Sequence, residues 1–133
     1  MASIYRELLI DRDADSTWSE LRRFEAAPEL FAGVVIDCRC TGDVREVTFA
    51  GGHKITERLV TLDDSRRRLV YAVLHEAYAH HSASMQIVPD PAGCRFVWVS
   101  DFLPAERTER MEFFVDAGCG ALKSWLERGT LGG

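Results

Sequence analysis

The sequence lacks the short motifs that mark several common classes of enzyme. It contains no Gly-x-Gly-x-x-Gly or Walker lysine loop for nucleotides, no His-Glu-x-x-His for zinc and no Gly-x-Ser-x-Gly for a nucleophilic serine. None of the 4 cysteines forms a Cys-x-x-Cys pair. No neighbour in sequence is suited to lower the thiol pKa of Cys38 or Cys40, and a disulfide between them would close too tight a loop. We therefore expect reduced thiols, no metal and no cofactor.

Positive charge and long apolar runs are also scarce. The net charge is −5, with 16 basic against 21 acidic residues, which disfavours nucleic acid as a partner because phosphate binding needs a basic surface. The one basic run, Arg66–Arg68, follows two aspartates and is expected to lie on a hairpin turn. Charged residues interrupt the first twelve positions, so neither a signal peptide nor a membrane insertion is predicted. We expect a cytoplasmic protein with one domain over residues 1–133.

The periodicity predicts one strand, two short helices, six strands and one long helix. The first strand covers residues 3–11, and Asp13 or Asp15 is expected to cap the helix that follows. A second helical turn begins at Pro28. Strands are then predicted at 34–41, 44–50, 53–62, 68–75, 81–88 and 95–103. The long helix spans 105–128 and ends at Gly129, while residues 76–80 form either a bent loop or the start of a strand.

The stretch REVTFAGGHKITERL, residues 45–59, predicts a hairpin with a charged pair on its apolar face. A three-residue loop sets Arg45 opposite Glu57 and Val47 opposite Ile55. A two-residue turn would instead set like charges opposite each other, which is destabilising. The first register is therefore expected. It places a cation and an anion on a face that is otherwise apolar and is expected to be buried by another part of the protein.

Several motifs resemble the START/SRPBCC superfamily, and within it the bacterial polyketide cyclase/dehydratase-like branch. They are Gly42-x-x-Arg45-x-Val47-x-Phe49-x-x-Gly52, Glu57-Arg58-Leu59, Leu69-x-Tyr71, Ser16-Thr17-Trp18, the strand with Trp98, and Asp101-Phe102-Leu103-Pro104. The resemblance covers about Ser3 to Arg128. It implies an α+β helix-grip fold, in which a curved antiparallel sheet of about seven strands wraps around a long C-terminal α-helix. Two short helices would lie between strands 1 and 2.

The resemblance also implies a deep cavity that binds a hydrophobic or aromatic small molecule. Some members of the superfamily catalyse cyclisation, dehydration or aromatisation there, whereas others only carry or sense a ligand. One fold hosts many functions, so the residues must decide between them.

Four residues are candidates for catalysis. Arg45 could stabilise an enolate, while Glu57 orients it or moves a proton; the alternative is an exposed ion pair near the cavity mouth, which would contribute little. His75 and His81 have the strand parity of the inward face and could act as general acid or base. The alternative for each histidine is a solvated position at the rim. His53, at a turn, is not assigned a role.

The predicted cavity lining is mostly aromatic and apolar. It comprises Phe49, Tyr71, Tyr78, Met85, Trp98, Ser100, Phe102, Phe114 and Gly118. Gly118 is a poor helix former on the buried stripe of the long helix, so it is expected to leave space in the core. Val97 and Val99 make the opposite face of their strand apolar as well, which suggests a homodimer or another covering partner.

These observations favour a cofactor-free cyclase, dehydratase or aromatase that acts on an aromatic or poly-β-ketone substrate. The alternative is a non-catalytic carrier or sensor of a hydrophobic small molecule or lipid, and a weaker third possibility is an interaction module that uses the Val97 and Val99 face. Arg45 locked to Glu57, with His75 and His81 both outward, would favour the carrier.

Overall fold

The computed structural model describes residues 2–128 and contains one seven-stranded antiparallel sheet with three α-helices. The strands are β1 (Ala2–Ile10), β2 (Val35–Thr41), β3 (Val44–Phe49), β4 (Lys54–Asp63), β5 (Arg68–Leu74), β6 (His80–Asp90) and β7 (Gly93–Leu103). The helices are α1 (Ala14–Leu21), α2 (Ala27–Leu30) and α3 (Thr108–Leu126), with 3-10 turns at Phe24–Ala26 and Ala105–Arg107. The predicted helix-grip architecture and the predicted order of elements are confirmed.

The strands follow the order β1-β7-β6-β5-β4-β3-β2 across the sheet. Consecutive strands from β2 to β7 are neighbours, and only β1 pairs with the far end of the chain. The hairpin of β3 and β4 has the predicted register, with Arg45 opposite Glu57 and Val47 opposite Ile55. The pleat therefore carries both charged side chains to the face that α3 covers.

Strands β6 and β7 extend further toward their shared turn than the sequence predicts. Pro89 lies inside β6, paired with Cys94, although proline lacks the N–H that a central strand needs. The pairing of β5 with β6 ends at Gln86, so β6 has only β7 beside it beyond that point. Proline is tolerated there for the same reason that it is tolerated on an edge strand.

Two aspartates fix helix α1, one at its N-terminus and one through the side chain of Trp18 in its middle. Asp13, one of the two predicted caps, accepts a hydrogen bond from the backbone N–H of Ser16 at 2.9 Å. The indole Nε1 of Trp18 donates to Asp64 Oδ1, in the turn between β4 and β5, at 2.8 Å. These contacts hold α1 against the sheet and place the following 3-10 turn over the hairpin of β3 and β4.

Helix α3 places a buried stripe against the sheet. The stripe contains Met111, Val115, Gly118, Cys119, Leu122 and Leu126. The helix ends at Leu126 in the structure, and the predicted stop at Gly129 lies outside the described residues. Among residues 2–128, no helix is both long enough and apolar enough to cross a membrane.

Candidate functional site

A cavity of about 260 Å³ lies between α3 and the sheet. All four predicted catalytic residues line it: Arg45, Glu57, His75 and His81. So do eight of the nine predicted ligand-binding residues, namely Phe49, Tyr71, Tyr78, Met85, Trp98, Ser100, Phe114 and Gly118. Most of the wall is apolar or aromatic, which is usual for a small-molecule site.

Arg45 and Glu57 form a buried ion pair in the cavity wall. Nε of Arg45 donates to Oε1 of Glu57 at 2.8 Å, and Nη2 lies 2.8 Å from the same oxygen. Nη1 donates to the carbonyl of Phe24 at 2.6 Å. The guanidinium carbon also stands 3.8 Å from the centroid of the Phe24 ring. Arg45 is therefore fixed from three sides by protein groups.

The burial of this pair excludes the exposed ion pair considered from the sequence, since Arg45 and Glu57 are each 6% exposed. Burial raises the pKa of Glu57, although the charge and the hydrogen bond of Arg45 act in the opposite direction. Both contacts from Arg45 go to Oε1. Oε2 has no hydrogen-bond partner among the described residues, and it is not sealed from the cavity.

Tyr71 stands beside the ion pair. Its ring centroid is 5.2 Å from the guanidinium carbon of Arg45. Burial raises the pKa of its hydroxyl, and the carboxylate of Glu57 raises it further. The phenol is therefore protonated at neutral pH and can donate a hydrogen bond to a ligand.

His81 lies in the wall between two aromatic rings. Its ring centroid is 4.8 Å from that of Tyr78 and 6.0 Å from that of Phe102. Burial lowers its pKa to about 4, so the imidazole is neutral at pH 7. Nδ1 is buried without a hydrogen-bond partner among residues 2–128, whereas Nε2 is not sealed in this way.

His75 lines the cavity only at its exposed rim, and Phe102 does not line it. His75 is an exposed residue at the rim, where its Nδ1 accepts a hydrogen bond from the backbone N–H of Ala77 at 3.0 Å. Phe102 is buried behind His81 and Tyr78 and is the one predicted ligand-binding residue that does not line the cavity. The alternation of side chains along a strand predicts the face on which His75 and Phe102 lie. It does not predict whether a residue on that face lies at the rim of the cavity, in its wall or behind the wall.

Gly118 allows the ring of Trp98 to approach helix α3 closely. A Cβ atom at this position would lie 2.9 Å from Cζ3 of Trp98, so the space beside the helix is filled by the indole ring. Gly118 lines the cavity as predicted, but the position that its missing Cβ would occupy is taken by Trp98. Trp98 packs into that space, and its Nε1 donates to Ser100 Oγ at 3.1 Å, so both residues form part of the cavity wall.

Four basic lining residues were not predicted from the sequence: His53, Lys54, Arg107 and Arg110. The ring of His53 stacks on Phe49, with centroids 4.7 Å apart. The pKa of His53 is lowered, mainly by burial and to a smaller extent by the positive charge of Arg110. Helical spacing could have indicated the arginines, because positions 107, 110 and 114 fall on one face of a helix.

The remaining candidate chemistries find no support in the structure. Burial raises the pKa of Cys119 and of Cys38 to about 11, and it also raises the pKa of Cys94, so these thiols are poor nucleophiles. Among residues 2–128, no group of three or more His, Cys, Asp or Glu side chains is arranged to hold a metal ion.

Comparison with known proteins agrees with this architecture. A sequence model of the family described as polyketide cyclase / dehydrase and lipid transport matches residues 1–130. A search of curated proteins finds no significant match. Among solved structures, the chain is similar to XoxI from Bacillus cereus, with 19% identity, a TM-score of 0.86, and coverage of 95% of this chain and 96% of the other.

Two further structures show similar agreement. A protein from Thermobifida fusca is 27% identical, with a TM-score of 0.78 and coverage of 96% of this chain and 95% of the other. Norcoclaurine synthase from Thalictrum flavum, in complex with dopamine and hydroxybenzaldehyde, is 16% identical, with a TM-score of 0.76 and coverage of 96% and 87%. The cavity, its apolar wall and the family match together indicate a protein that binds a hydrophobic ligand.

Proposed function

The chain belongs to the polyketide cyclase / dehydrase and lipid transport family, and on that premise we propose that it is a cofactor-free enzyme acting on a small aromatic or poly-β-ketone substrate. The reaction class is proton transfer next to a carbonyl group, the step that cyclisation, dehydration and aromatisation share. The observation that carries the proposal is a carboxylate with a raised pKa and one unpaired oxygen, held in the wall of an apolar cavity.

Glu57 is the proposed base. Its Oε2 takes a proton from the carbon next to the ligand carbonyl, and the C–H electron pair moves into an enolate. A carboxylate with a raised pKa is a stronger base than one in water, which favours this step. Arg45 acts as a positioning residue in this scheme, because its guanidinium is bound to Oε1 and to the Phe24 carbonyl.

His81 is the proposed partner of the carbonyl oxygen. An unpaired acceptor is tolerated in a buried site more readily than an unpaired N–H, so the bare nitrogen of the neutral ring is assigned to Nδ1. The proton then sits on Nε2. This N–H, together with the hydroxyl of Tyr71, donates to the oxygen where enolate charge develops.

The volume of the cavity suits one or two fused rings. An engineered apolar cavity of about 150 Å³ is enough to bind benzene. The similarity to norcoclaurine synthase supports a ligand of this size, because that protein binds two single-ring compounds within the same fold. A longer poly-β-ketone would place only its reactive end between α3 and the sheet.

Deuterium exchange tests the proposal without knowledge of the natural substrate. The bicyclic ketone 2-tetralone is incubated with the protein in D₂O, and loss of the α-proton signal is followed by NMR. We expect exchange above the buffer rate, with Glu57→Gln slowing the catalysed part by at least about 100-fold. His81→Asn should also slow it, whereas His80→Asn, at an exposed position outside the cavity lining, should not.

A carrier of hydrophobic molecules is the second candidate. The observation that favours it is that Arg45 is hydrogen-bonded to Glu57 and to the Phe24 carbonyl, which is one of the two features expected of a carrier. The other expected feature is that His75 and His81 both point outward. Only His75 is exposed, because His81 lies in the cavity wall. A protein that binds 2-tetralone without accelerating exchange would be a carrier. If native mass spectrometry finds no co-purifying compound and 2-tetralone does not bind, both functions fail.

A further inference from the structure

Two arginines at the cavity mouth, Arg107 and Arg110, form no ion pair with any residue that the structure describes. Most of the basic side chains, including those of Arg6, Arg22 and Arg95, form an ion pair with a carboxylate. Arg107 and Arg110 form none among the described residues, although acidic residues outnumber basic ones in the chain. Glu106 and Glu109 are their neighbours in sequence but do not pair with them.

Aromatic rings of the cavity wall hold the two arginines in place. The guanidinium carbon of Arg107 lies 5.8 Å from the centroid of Tyr78, and that of Arg110 lies 5.3 Å from the centroid of Phe114. Such contacts orient a cation while leaving its N–H groups free to bind an anion. Lys54 adds a third positive charge to the lining, with only a loose contact of 3.8 Å to Glu46.

The described lining offers these cations no compensating negative charge. Glu57 is the only carboxylate among the lining residues, and it is bound to Arg45. The cavity therefore has an apolar interior and a positively charged entrance, in a protein whose net charge is −5. A bound molecule with its own negative charge at the entrance would complete this arrangement.

We infer that the cavity takes an amphipathic anion. Its ring system lies in the apolar interior, and a carboxylate or phosphate group remains at the mouth between Arg107 and Arg110. This inference rests on the proposed function, since it requires that the cavity binds a ligand, and it adds the chemical class of that ligand. Arginine suits both groups because its planar fork can donate two parallel hydrogen bonds to either.

Three matched probes test the inference by isothermal titration calorimetry at pH 7.5. They are naphthalene-2-carboxylate, 2-naphthyl phosphate and the neutral naphthalene-2-carboxamide. At low ionic strength we expect the better anion to bind about 10-fold more tightly than the amide, the effect of roughly one exposed ion pair for each arginine. In 0.5 M NaCl this preference should fall. The ranking of the two anions tells a carboxylate from a phosphate as the natural group.

The double variant Arg107→Gln/Arg110→Gln should abolish the preference for anions, so that it binds both anions no more tightly than it binds the amide. Arg58→Gln is the matched control, because Arg58 is exposed, also has no ion pair among residues 2–128, and does not line the cavity. Equal binding of all three probes, unaffected by the double variant, would overturn the inference and leave the proposed function intact. If no probe binds, the ligand site itself is refuted.

Discussion

At the scale of single residues, the pair of Arg45 and Glu57 is the most informative feature of the cavity. Two charges taken out of water are costly unless each finds partners, and here Arg45 finds both a carboxylate and a backbone carbonyl. The sequence predicted the pair from strand register. It did not indicate the Phe24 carbonyl, which comes from a 3-10 turn 21 residues away in the chain.

Removing one partner of this pair should cost more stability than removing both. Arg45→Met leaves the carboxylate of Glu57 buried and unpaired, and we expect a loss of about 3–5 kcal/mol in the free energy of unfolding. The double variant Arg45→Met/Glu57→Leu removes both charges and should be less destabilised than the single variant. Urea denaturation measures both values. A double variant that is less stable than Arg45→Met would show that the pair stabilises the fold beyond satisfying its own charges.

His81 should make the stability of the protein depend on pH in the acidic range. Its pKa is lowered from 6.5 to about 4 in the fold, so the unfolded chain binds its proton more readily. The stabilisation is complete above about pH 6.5 and is lost as the pH falls toward 4, by up to about 3 kcal/mol.

The measurement is urea denaturation of the wild type and His81→Asn at pH 7 and pH 4. The difference in free energy of unfolding between the wild type and His81→Asn should change by up to about 3 kcal/mol between the two pH values. The difference between the wild type and Ser100→Ala should stay constant, because that substitution removes no group that titrates in this range. An NMR titration that places the pKa of His81 near 6.5 would contradict the burial argument.

At the scale of elements, α3 shows how one glycine is required while another close by is not. Both Gly118 and Gly120 lower helix propensity, and sequence alone treats them alike. The structure separates them, because a Cβ at 118 would meet the Trp98 ring at 2.9 Å, whereas a Cβ at 120 would meet nothing within 4 Å.

Alanine substitutions at these two positions should therefore have opposite effects. Gly120→Ala should stabilise the protein by about 0.5–1 kcal/mol, since it only improves helix propensity. Gly118→Ala should destabilise it by about 1–3 kcal/mol, because the indole ring must move. Thermal unfolding followed by circular dichroism gives the sign of each change. Stabilisation by both substitutions would mean that Trp98 moves aside at little cost.

At the scale of the whole molecule, the sheet and α3 together set the size of the ligand. The cavity of about 260 Å³ predicts that naphthalene-2-carboxamide binds at least about 10-fold more tightly than the four-ring pyrene-1-carboxamide. Met85→Ala should narrow this difference, because Met85 is a buried lining residue and its truncation enlarges the cavity. Calorimetry compares the four affinities. Tight binding of the pyrene compound to the wild type would show that the sheet and α3 separate to admit larger ligands.

The outer face of the sheet is the surface through which the sequence predicts a homodimer. Val97 and Val99 are half-buried by their neighbours on the sheet, while Tyr5 and Val60 are exposed. A homodimer through this face stays a prediction. Sedimentation equilibrium of the purified protein decides it.

The order of elements, the register of the β3–β4 hairpin and the inward face of each strand can all be predicted from the amino-acid sequence. These features follow from alternation, turn residues and charge pairing between positions close together in the chain, and such local patterns are visible in one dimension. Arg45, Glu57 and His81 could be predicted on this basis as residues that face the cavity.

The depth at which each of these residues lies, and the groups that it contacts, follow from the packing of the helices on the sheet and are not visible in the sequence. These depths and contacts depend on distances between elements far apart in sequence. Examples are the rim position of His75, the packing of Trp98 against Gly118, and the lack of an ion pair to Arg107 and Arg110 within residues 2–128. Periodicity gives the direction in which a side chain points, but it contains no information on the element that faces it across the core. The volume of the cavity and the charge at its mouth are set by that facing element.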